Sequence, residues 1–172
     1  MAKIRPILSY PNPILAQVAK DIETVTPEIC RLAEDMLETM YDKEGLGLAA
    51  PQVGESCRLV VIDISGPEKR EEPLVLVNPR IVSQEGQVDS SEGCLSVLNY
   101  RSKVQRAEKI RLQALNLEGQ PVEMEMDGML AICLQHELDH LNGVLFIDRI
   151  SRLKRSLYEQ KLKKWIKKDK LP

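Results

Sequence analysis

Three segments of the chain carry apolar residues at the spacing of an amphipathic helix. The first begins after Thr26, a favoured N-cap residue, and ends before Gly45. The second begins after Asp127 and ends at Gly143, since glycine commonly terminates a helix. The third covers residues 151–168. Its apolar residues approximate one stripe, which is expected to pack on the body of the protein: Leu153, Leu157, Tyr158, Leu162, Trp165 and Ile166.

Between the first two helices the pattern shortens to that of β-strands. Residues 58–64, 74–82 and 109–117 are rich in β-branched or alternating apolar residues. A turn at 117–120 is expected to join the last of these to a further strand at 121–126. This order of elements predicts an α+β fold. An antiparallel or mixed sheet would wrap around a central helix, with one helix at the N-terminal side and one at the C-terminal side.

The length and the charge distribution refine this picture. A chain of 172 residues favours a single domain over 1–172. The net charge of −2 conceals a basic C-terminal helix at 149–172, which has ten Lys or Arg and two acids. Such a segment favours a polyanionic partner. No run approaches the roughly 18 to 20 apolar residues of a membrane span, and the start lacks a secretory signal pattern, so we expect a cytoplasmic protein.

Both histidines of the chain lie on the second predicted helix, in the segment His136-Glu137-x-x-His140. At about 100° per residue the two imidazoles are about 40° apart around the helix, so both can bind one metal ion. Glu137 can then reach a water molecule beside that ion. Two hydrogen-bonded core histidines would also fit, but the spacing favours the metal site. Two apolar stripes flank it: Leu130, Leu134, Leu138 and Leu141 towards the core, and Met129, Ile132 and Cys133 beside the histidines.

Cys94 is the candidate for a third metal ligand. One thiolate and two imidazoles leave a fourth position open, which is typical of a catalytic site. Cys94 could otherwise be a small buried apolar residue, and Cys133 could form the wall of a pocket. Zinc peptidases share the His-Glu-x-x-His segment, but one class needs a histidine where this chain has Phe146, and another needs an acidic ligand for which Glu159 lacks a supporting motif.

Three segments together resemble the three motifs of the bacterial peptide deformylases in order and spacing: GLGLAAPQVG at 45–54, EGCLSV at 92–97 and QHELDHLNG at 135–143. The absence of long insertions resembles the compact form of Gram-negative bacteria. The resemblance implies a metal-dependent hydrolase that removes the formyl group from the formyl-methionine of new polypeptides and releases formate. It implies formylmethionyl nascent peptides as substrates and a ribosome contact through the basic helix at 149–172. We expect a monomer.

The resemblance also implies a role for individual residues. Metal ligands match three side chains: Cys94, His136 and His140. Groups that act on the reacting atoms match the carboxyl of Glu137 as general acid and base, the amide of Gln52 and the backbone N–H of Leu95. Substrate-binding positions, which hold the formyl-amide end and the methionine side chain, match Leu46, Gly47, Met129, Ile132 and Cys133.

The metal and one loop are less defined by the pattern. Ligand chemistry favours Zn(II) for one thiolate and two imidazoles, whereas the resemblance implies Fe(II) in vivo, with Zn(II) or Ni(II) as other occupants. The family commonly has a proline at the position of Leu98, so contacts to the peptide beyond methionine are expected to differ. The resemblance further implies that Glu92 pairs with Arg106 and braces the loop of Cys94.

Two alternatives to a deformylase stay open at this point. One is a metallopeptidase of the His-Glu-x-x-His type, which is disfavoured because the chain has no matching downstream ligand. The other is a ribosome-associated binding module without activity, which is disfavoured because every catalytic position of the motifs is filled. Formate release from a formylated peptide would separate these hypotheses.

Overall fold

Residues 2–168 are described by the structure, a computed structural model. Along the chain, helix α1 is followed by seven strands, β1 to β7, and then by helices α2 and α3. Their bounds are α1 Pro27–Asp42, β1 Gly47–Ala49, β2 Leu59–Ile62, β3 Leu74–Glu85, β4 Val88–Cys94, β5 Val97–Arg106, β6 Lys109–Leu115, β7 Pro121–Asp127, α2 Gly128–Leu141 and α3 Arg152–Lys167. None of the helices in this part of the chain is long and apolar enough to cross a membrane.

The strands form two antiparallel sheets, and the α+β prediction is confirmed. Five strands pair in the order β1-β2-β3-β6-β7, and β4 pairs with β5 as a separate hairpin. The prediction of one sheet was therefore incomplete, because the hairpin was interpreted as a loop. Its polar sequence, with Asp89, Ser90 and Ser91 in β4, lacks the apolar alternation that marks a half-buried strand.

The central helix α2 is held by its leucine stripe. Leu134 and Leu141 have no exposed surface, and Leu138 is 5% exposed. All three belong to one buried cluster with residues of the large sheet such as Val60 and Leu112. Burial of a leucine side chain contributes about 1.5 to 3 kcal/mol. The stripe therefore fixes which side of α2 faces the sheet and, with it, where the two histidines point.

Strand β2 is buried on both faces, because α1 covers the face opposite α2. Val60 and Ile62 pack in the cluster of α2, whereas Leu59 and Val61 pack with α1. Successive side chains of a strand alternate between faces, so the continuous apolar run of β2 fits a strand between two layers. Thr26 and Asp127 occupy the N-cap positions of α1 and α2, although neither side chain makes a capping hydrogen bond.

Helix α3 packs through a narrower surface than its apolar pattern predicted. Tyr158 and Leu162 are buried beside Phe146, and Trp165 is partly buried against the same cluster. At about 100° per residue these positions share one side of the helix. Three other members of the predicted stripe lie elsewhere on the helix and are exposed: Leu153 at 70%, Leu157 at 51% and Ile166 at 47%. The single-stripe prediction for α3 was therefore wrong for these three.

Candidate metal centre

The β4–β5 hairpin brings Cys94 to the helix that carries both histidines. Cys94 ends β4 next to a register shift after Glu92, and it pairs with Val97 across the turn. Its Sγ lies 3.3 Å from Nε2 of His140. One ligand atom from each of Cys94, His136 and His140 lies within 4.8 Å of the other two. Within residues 2–168 this is the one group of three or more such side chains with that geometry.

The three side chains fit a tetrahedral metal ion. Bond lengths of about 2.3 Å to sulfur and 2.0 Å to nitrogen, at a tetrahedral angle, place the two atoms about 3.5 Å apart. The 3.3 Å between Cys94 Sγ and His140 Nε2 is close to that separation. The donor set of one sulfur and two nitrogens suits a borderline-soft divalent ion. Three protein ligands leave one position for a water molecule or a substrate atom.

Glu92 fixes the orientation of His136. Its Oε1 lies 2.8 Å from Nδ1 of His136, which leaves Nε2 as the metal-binding nitrogen. Arg106 donates to both oxygens of Glu92, at 2.8 and 2.7 Å, so the predicted brace is present. Burial raises the pKa of Glu92, but the hydrogen bonds from Arg106 and His136 outweigh it and lower the pKa to about 2. Carboxylates in this position commonly set the tautomer and ring angle of a metal-bound histidine.

The brace extends further into the protein through two residues that the motif analysis missed. Asp139 accepts a hydrogen bond of 2.7 Å from Arg106 and two of 2.6 Å from Arg149. Arg106 is thereby bonded to a carboxylate on each side while it is 4% exposed. A buried guanidinium is costly unless its charge and donors are compensated. An acid between Leu138 and His140, next to the predicted leucine stripe, was the available signal.

Glu137 is the buried carboxyl without such compensation. It is 4% exposed, and among the described residues its Oε2 has no hydrogen-bond partner. Burial raises the pKa of Glu137 to about 7. Gly47 lies against it, since a Cβ at Gly47 would be 2.6 Å from Glu137 Oε1. A carboxyl that titrates near neutral pH beside a metal site is suited to proton transfer.

The side chain of Gln52 is held so that its donor end faces the candidate ligand Cys94. Its Oε1 accepts a hydrogen bond of 2.9 Å from the backbone N–H of Ala49. Its Nε2 donates to Ser96 Oγ at 3.1 Å and lies 3.7 Å from Cys94 Sγ. Gln52 is 2% exposed, and fixing both ends of the amide removes the choice between its two orientations. Local hydrogen bonding and a catalytic role are therefore compatible at this residue.

A cavity of about 810 Å³ opens beside the three ligands. Its walls include the predicted substrate-binding residues, with Leu46 and Met129 partly exposed at the rim. Asn99, Tyr100 and Arg101 of β5, directly after Leu98, also contribute and were not predicted. The predicted site residues in these walls are Leu46, Gly47, Gln52, Cys94, Leu95, Met129, Ile132, Cys133, His136 and Glu137.

Cys133 and the two candidate ligands of the peptidase classes do not join the metal group. Burial raises the pKa of the Cys133 thiol, so it is expected to stay protonated at the cavity wall. Phe146 is buried with its ring centroid 6.2 Å from that of His136. Glu159 accepts a hydrogen bond of 2.7 Å from the Tyr10 hydroxyl and one of 3.0 Å from Arg155. The candidate third ligand is therefore Cys94, upstream in the sequence.

One thiol, two imidazoles and a buried acid beside an apolar cavity define a metal-dependent hydrolase of the His-Glu-x-x-His kind. The sequence profile of the polypeptide deformylase family matches residues 4–156. The chain belongs to the polypeptide deformylase family.

Relatives and solved structures agree with this assignment. Over 168 residues the chain is 49% identical to the peptide deformylase of Alkalilimnicola ehrlichii, covering 98% of this chain and 94% of the relative. The crystal structure of a peptide deformylase from Legionella pneumophila superposes with a TM-score of 0.90 at 48% identity, and the match covers 96% of this chain and 97% of that chain. The crystal structure of the peptide deformylase from Ehrlichia chaffeensis in complex with actinonin superposes with a TM-score of 0.87 at 38% identity, and the match covers 95% of this chain and 98% of that chain.

Proposed function

We propose that this chain removes the formyl group from the N-terminal formyl-methionine of newly made polypeptides and releases formate. The observation that carries the proposal is that the candidate metal ligands and the candidate catalytic side chains converge on one apolar cavity. Three candidate ligand atoms, the oriented amide of Gln52 and the carboxyl of Glu137 all meet there, and Oε2 of Glu137 has no hydrogen-bond partner within residues 2–168. A divalent metal ion held by Cys94, His136 and His140 would supply Lewis-acid activation of the formyl oxygen and of water.

The proton transfers fall to Glu137. In this proposal its carboxylate takes the proton of the attacking water and returns it to the nitrogen of the leaving amine. Its position in the cavity wall places it beside the metal group, and its burial keeps it from forming an ion pair elsewhere. The general acid and base is therefore one residue acting twice.

Two fixed donors would stabilise the charge that develops on the formyl oxygen. The Nε2 of Gln52 is aimed at the metal group by its bonds to Ala49 and Ser96. The backbone N–H of Leu95 is proposed as the second donor, because Leu95 directly follows Cys94 and lines the same cavity. A preorganised donor of this kind contributes about 2.7 to 4 kcal/mol to the transition state.

The apolar part of the cavity is proposed to hold the methionine side chain. Met129, Ile132 and Cys133 lie on one side of α2, and Leu46 closes the cavity from the opposite chain segment. Gly47 is proposed to present its backbone to the formyl-amide end of the substrate. An unbranched thioether suits such a wall, because it packs on irregular apolar surfaces with several rotamers.

Fe(II) is the metal that we propose in vivo, with Zn(II) or Ni(II) able to occupy the same ligands. Borderline-soft ligands accept all three ions, and metal availability decides among them in cells. Anaerobically prepared iron protein should deformylate far faster than zinc protein of equal metal content. Equal rates would contradict the choice of iron while leaving the ligand assignment intact.

The direct test is formate release from formyl-Met-Ala-Ser, with unformylated Met-Ala-Ser as the control. A deformylase yields formate and intact Met-Ala-Ser, whereas a metallopeptidase would cleave a peptide bond in either substrate. The metallopeptidase alternative is the less supported one, because Phe146 and Glu159 both lie outside the metal group. Cleavage of Met-Ala-Ser without formate release would overturn the proposed function.

The setting of the reaction is proposed from helix α3. Its exposed residues include Lys154, Lys161, Lys164 and Lys168, which suit the phosphate backbone of ribosomal RNA. Nascent chains leave the ribosome, so a contact there would bring the enzyme to its substrate. We accordingly expect a cytoplasmic monomer that forms one domain. Salt-dependent co-sedimentation with ribosomes would support this setting, and loss of co-sedimentation only at high salt is the expected result.

A further inference from the structure

A second cavity, of about 650 Å³, borders a different side of α2 and is rich in arginine. Four guanidinium groups line it, and Asp139 is the one acid among its lining residues. The metal group and the substrate cavity involve none of the three outer arginines of this set. The four arginines are Arg58, Arg80, Arg106 and Arg149.

Hydrogen bonds already in place distinguish these arginines. All three nitrogen atoms of the Arg106 guanidinium already donate hydrogen bonds, Nε and Nη2 to Glu92 and Nη1 to Asp139. Arg149 uses Nε and Nη2 on Asp139, which leaves its Nη1 without a partner among the described residues. Arg80 uses only Nη2, which donates to both oxygens of Asp21 at 2.9 and 2.8 Å. A guanidinium carries five donors, so Arg80 and Arg149 both retain donors for another ligand.

Arg58 is the least compensated of the four. It is 5% exposed, and its Nη atoms donate to neutral oxygens: Oδ1 of Asn142 at 3.0 Å and the Pro79 carbonyl at 3.0 Å. Its Nε is buried without a hydrogen-bond partner in residues 2–168, and the nearest acid oxygen, Oδ1 of Asp21, is 3.6 Å away. Burial and the charge of Arg80 lower the pKa of Arg58.

A purely structural role explains only part of this arrangement. The Nη1 of Arg58 also lies 3.5 Å from the carbonyl of Leu141, so Arg58 helps to close the C-terminal end of α2. That role accounts for the Nη atoms of Arg58. It does not account for the orphaned Nε or for the placement of Arg80 beside a buried like charge.

The balance of charges around the cavity also indicates a site for an anionic ligand. Among residues 2–168 the four guanidinium groups contact three carboxylates, those of Asp21, Glu92 and Asp139, which leaves one positive charge without a carboxylate partner. Glu108 lies against the lining residue Gly86 without lining the cavity itself, and it forms no ion pair with the four arginines among the described residues. A buried cation without full compensation is costly, and an anionic ligand in the cavity would remove that cost.

We propose that this cavity binds a compact oxyanion of the phosphate class, held by the free donors of Arg80 and Arg149 and attracted by the buried charge of Arg58 behind them. The guanidinium fork matches the oxygens of phosphate, and two or three such groups form a strong site. Phosphate could come from a small molecule or from a nucleic-acid backbone. The enclosure of the site in a cavity favours the small molecule, because a terminal phosphate presents three free oxygens and inorganic phosphate four, whereas a phosphodiester presents two.

The test follows the Nε–H resonance of Arg58 in ¹H–¹⁵N spectra of the full-length, zinc-loaded protein. Inorganic phosphate and pyrophosphate are titrated separately, with sodium chloride at matched ionic strength. We expect saturable shifts of Arg58 with either phosphate and none with chloride. Arg80→Gln should weaken phosphate binding about tenfold, because it removes one charged contact. Arg111→Gln is the matched control, since Arg111 is a similarly exposed arginine on β6 outside this cavity.

Each other outcome would overturn the proposal. Equal weakening by Arg80→Gln and Arg111→Gln would show general charge attraction rather than a site. Shifts confined to residues around Cys94 would place the phosphate at the metal group instead. A third titration uses a short single-stranded RNA. Binding of that RNA with the same Arg80 dependence, together with no binding of inorganic phosphate, would contradict the compact ligand.

Discussion

Two buried glutamates on either side of the metal group show how partners, rather than burial, decide what a carboxyl does. Glu92 is 6% exposed and Glu137 is 4% exposed, so both side chains are largely shielded from water. Glu92 receives two hydrogen bonds from Arg106 and one from His136, and its pKa lies near 2. Glu137 has a buried oxygen without any partner among the described residues, and burial raises its pKa to about 7.

This difference separates a permanent anion from a proton carrier. A carboxylate with full compensation can hold a histidine at fixed orientation and never needs to change its charge. A carboxyl with no compensation exchanges its proton at neutral pH, which general acid–base catalysis requires. The contrast supports the proposed roles, a positioning role for Glu92 and proton transfer for Glu137, although the two side chains are close neighbours of one histidine.

The largest effect is expected from Glu137→Gln. Loss of the proton carrier should lower kcat/KM for formyl-Met-Ala-Ser by about 10² to 10⁴-fold. Metal content should stay unchanged, because Glu137 is outside the ligand set. Stability should not fall, since an amide removes a buried charge that has no partner. Steady-state kinetics, metal analysis and urea unfolding provide the three measurements.

Glu123→Gln is the matched control for this change, because Glu123 is an exposed glutamate on β7, with its side chain 51% exposed. It should behave as wild type in all three measurements. Near-normal activity of Glu137→Gln at full metal content would contradict the role assigned to Glu137 and remove the contrast with Glu92.

Gly47→Ala should disturb Glu137 without altering its chemistry. The added Cβ would lie 2.6 Å from Oε1 and 2.9 Å from Cγ of Glu137, so the carboxyl must shift. A displacement of about 1 Å in a catalytic group can lower the rate by about 10²-fold. Gly119→Ala is the control for activity, because a Cβ there meets nothing within 4 Å; its φ of +75° strains an alanine, so the two variants are compared in activity and not in stability. Equal activities of the two variants would show that Glu137 tolerates movement.

Glu92→Gln should weaken metal binding before it affects the chemical step. Arg106 would lose one of its two carboxylates while buried, which costs about 3 to 5 kcal/mol of folding free energy. Loss of the carboxylate behind His136 should lower metal affinity about 10 to 100-fold. Chelator competition and urea unfolding measure both effects. Activity of the variant at saturating metal should recover most of the wild-type value, and a defect that metal cannot restore would place Glu92 in the chemistry.

The metal-free protein should show opposite pH dependences for the two glutamates. The folded-state pKa of Glu92 is lowered from 4.5 to about 2, so its contribution is present above pH 4.5 and is lost as the pH falls towards 2. That of Glu137 is raised from 4.5 to about 7, so stability falls as the pH rises between these values. Each contribution is roughly 3 kcal/mol at most.

Urea unfolding at a series of pH values tests this pair of slopes. Glu137→Gln should remove the decline between pH 4.5 and 7, and Glu92→Gln should remove the decline below pH 4.5. A bound cation favours the charged carboxylate, so restoring metal should reduce the decline due to Glu137. Identical profiles for both variants would mean that the two carboxyls do not differ in the folded state.

The sequence predicted those elements whose signals are local. Helices α1 and α2 were found from apolar spacing and end residues, and strands β2, β3, β6 and β7 from β-branched or alternating runs. The hairpin of β4 and β5 was missed, because its pairing is between polar residues and is visible only in three dimensions. The wrong residues in the stripe of α3 have a related cause. Apolar spacing alone does not reveal which side of a helix meets the body of the protein.

The residues of the candidate site also divide into those that local spacing in the sequence brings together and those that only the fold brings together. His136, Glu137 and His140 are close along one helix, so their geometry follows from helical spacing. Cys94 lies 46 positions from His140, and its placement needed the family resemblance until the structure put the two atoms 3.3 Å apart. Asp139 and Arg149 were missed, since an isolated acid and a basic residue read as surface positions until their mutual hydrogen bonds are known.

The smallest effect on catalysis is expected from substitutions in helix α3, because its proposed role is ribosome contact and not the reaction at the metal centre. Deleting the helix would remove Tyr158 and Leu162 from the core, so charge reversal of exposed residues is the cleaner change. Lys154 and Lys161 of α3 and Lys168 at its C-cap are exposed and lie within about 40° of one another around the helix, beside its packed side. Replacing all three by Glu should leave formate release from formyl-Met-Ala-Ser within about twofold of wild type, because no contact to the metal group is altered.

The same triple variant should lose most co-sedimentation with ribosomes at low salt, since three charges that can neutralise phosphates become repulsive. Replacing the exposed Lys69, Lys103 and Lys109 by Glu provides a control with equal net charge on the body of the protein. If both triple variants lose co-sedimentation equally, net charge rather than helix α3 governs the contact. If neither does, the ribosome contact is elsewhere, and the assignment of Glu92 and Glu137 stands unaffected because it rests on the metal centre alone.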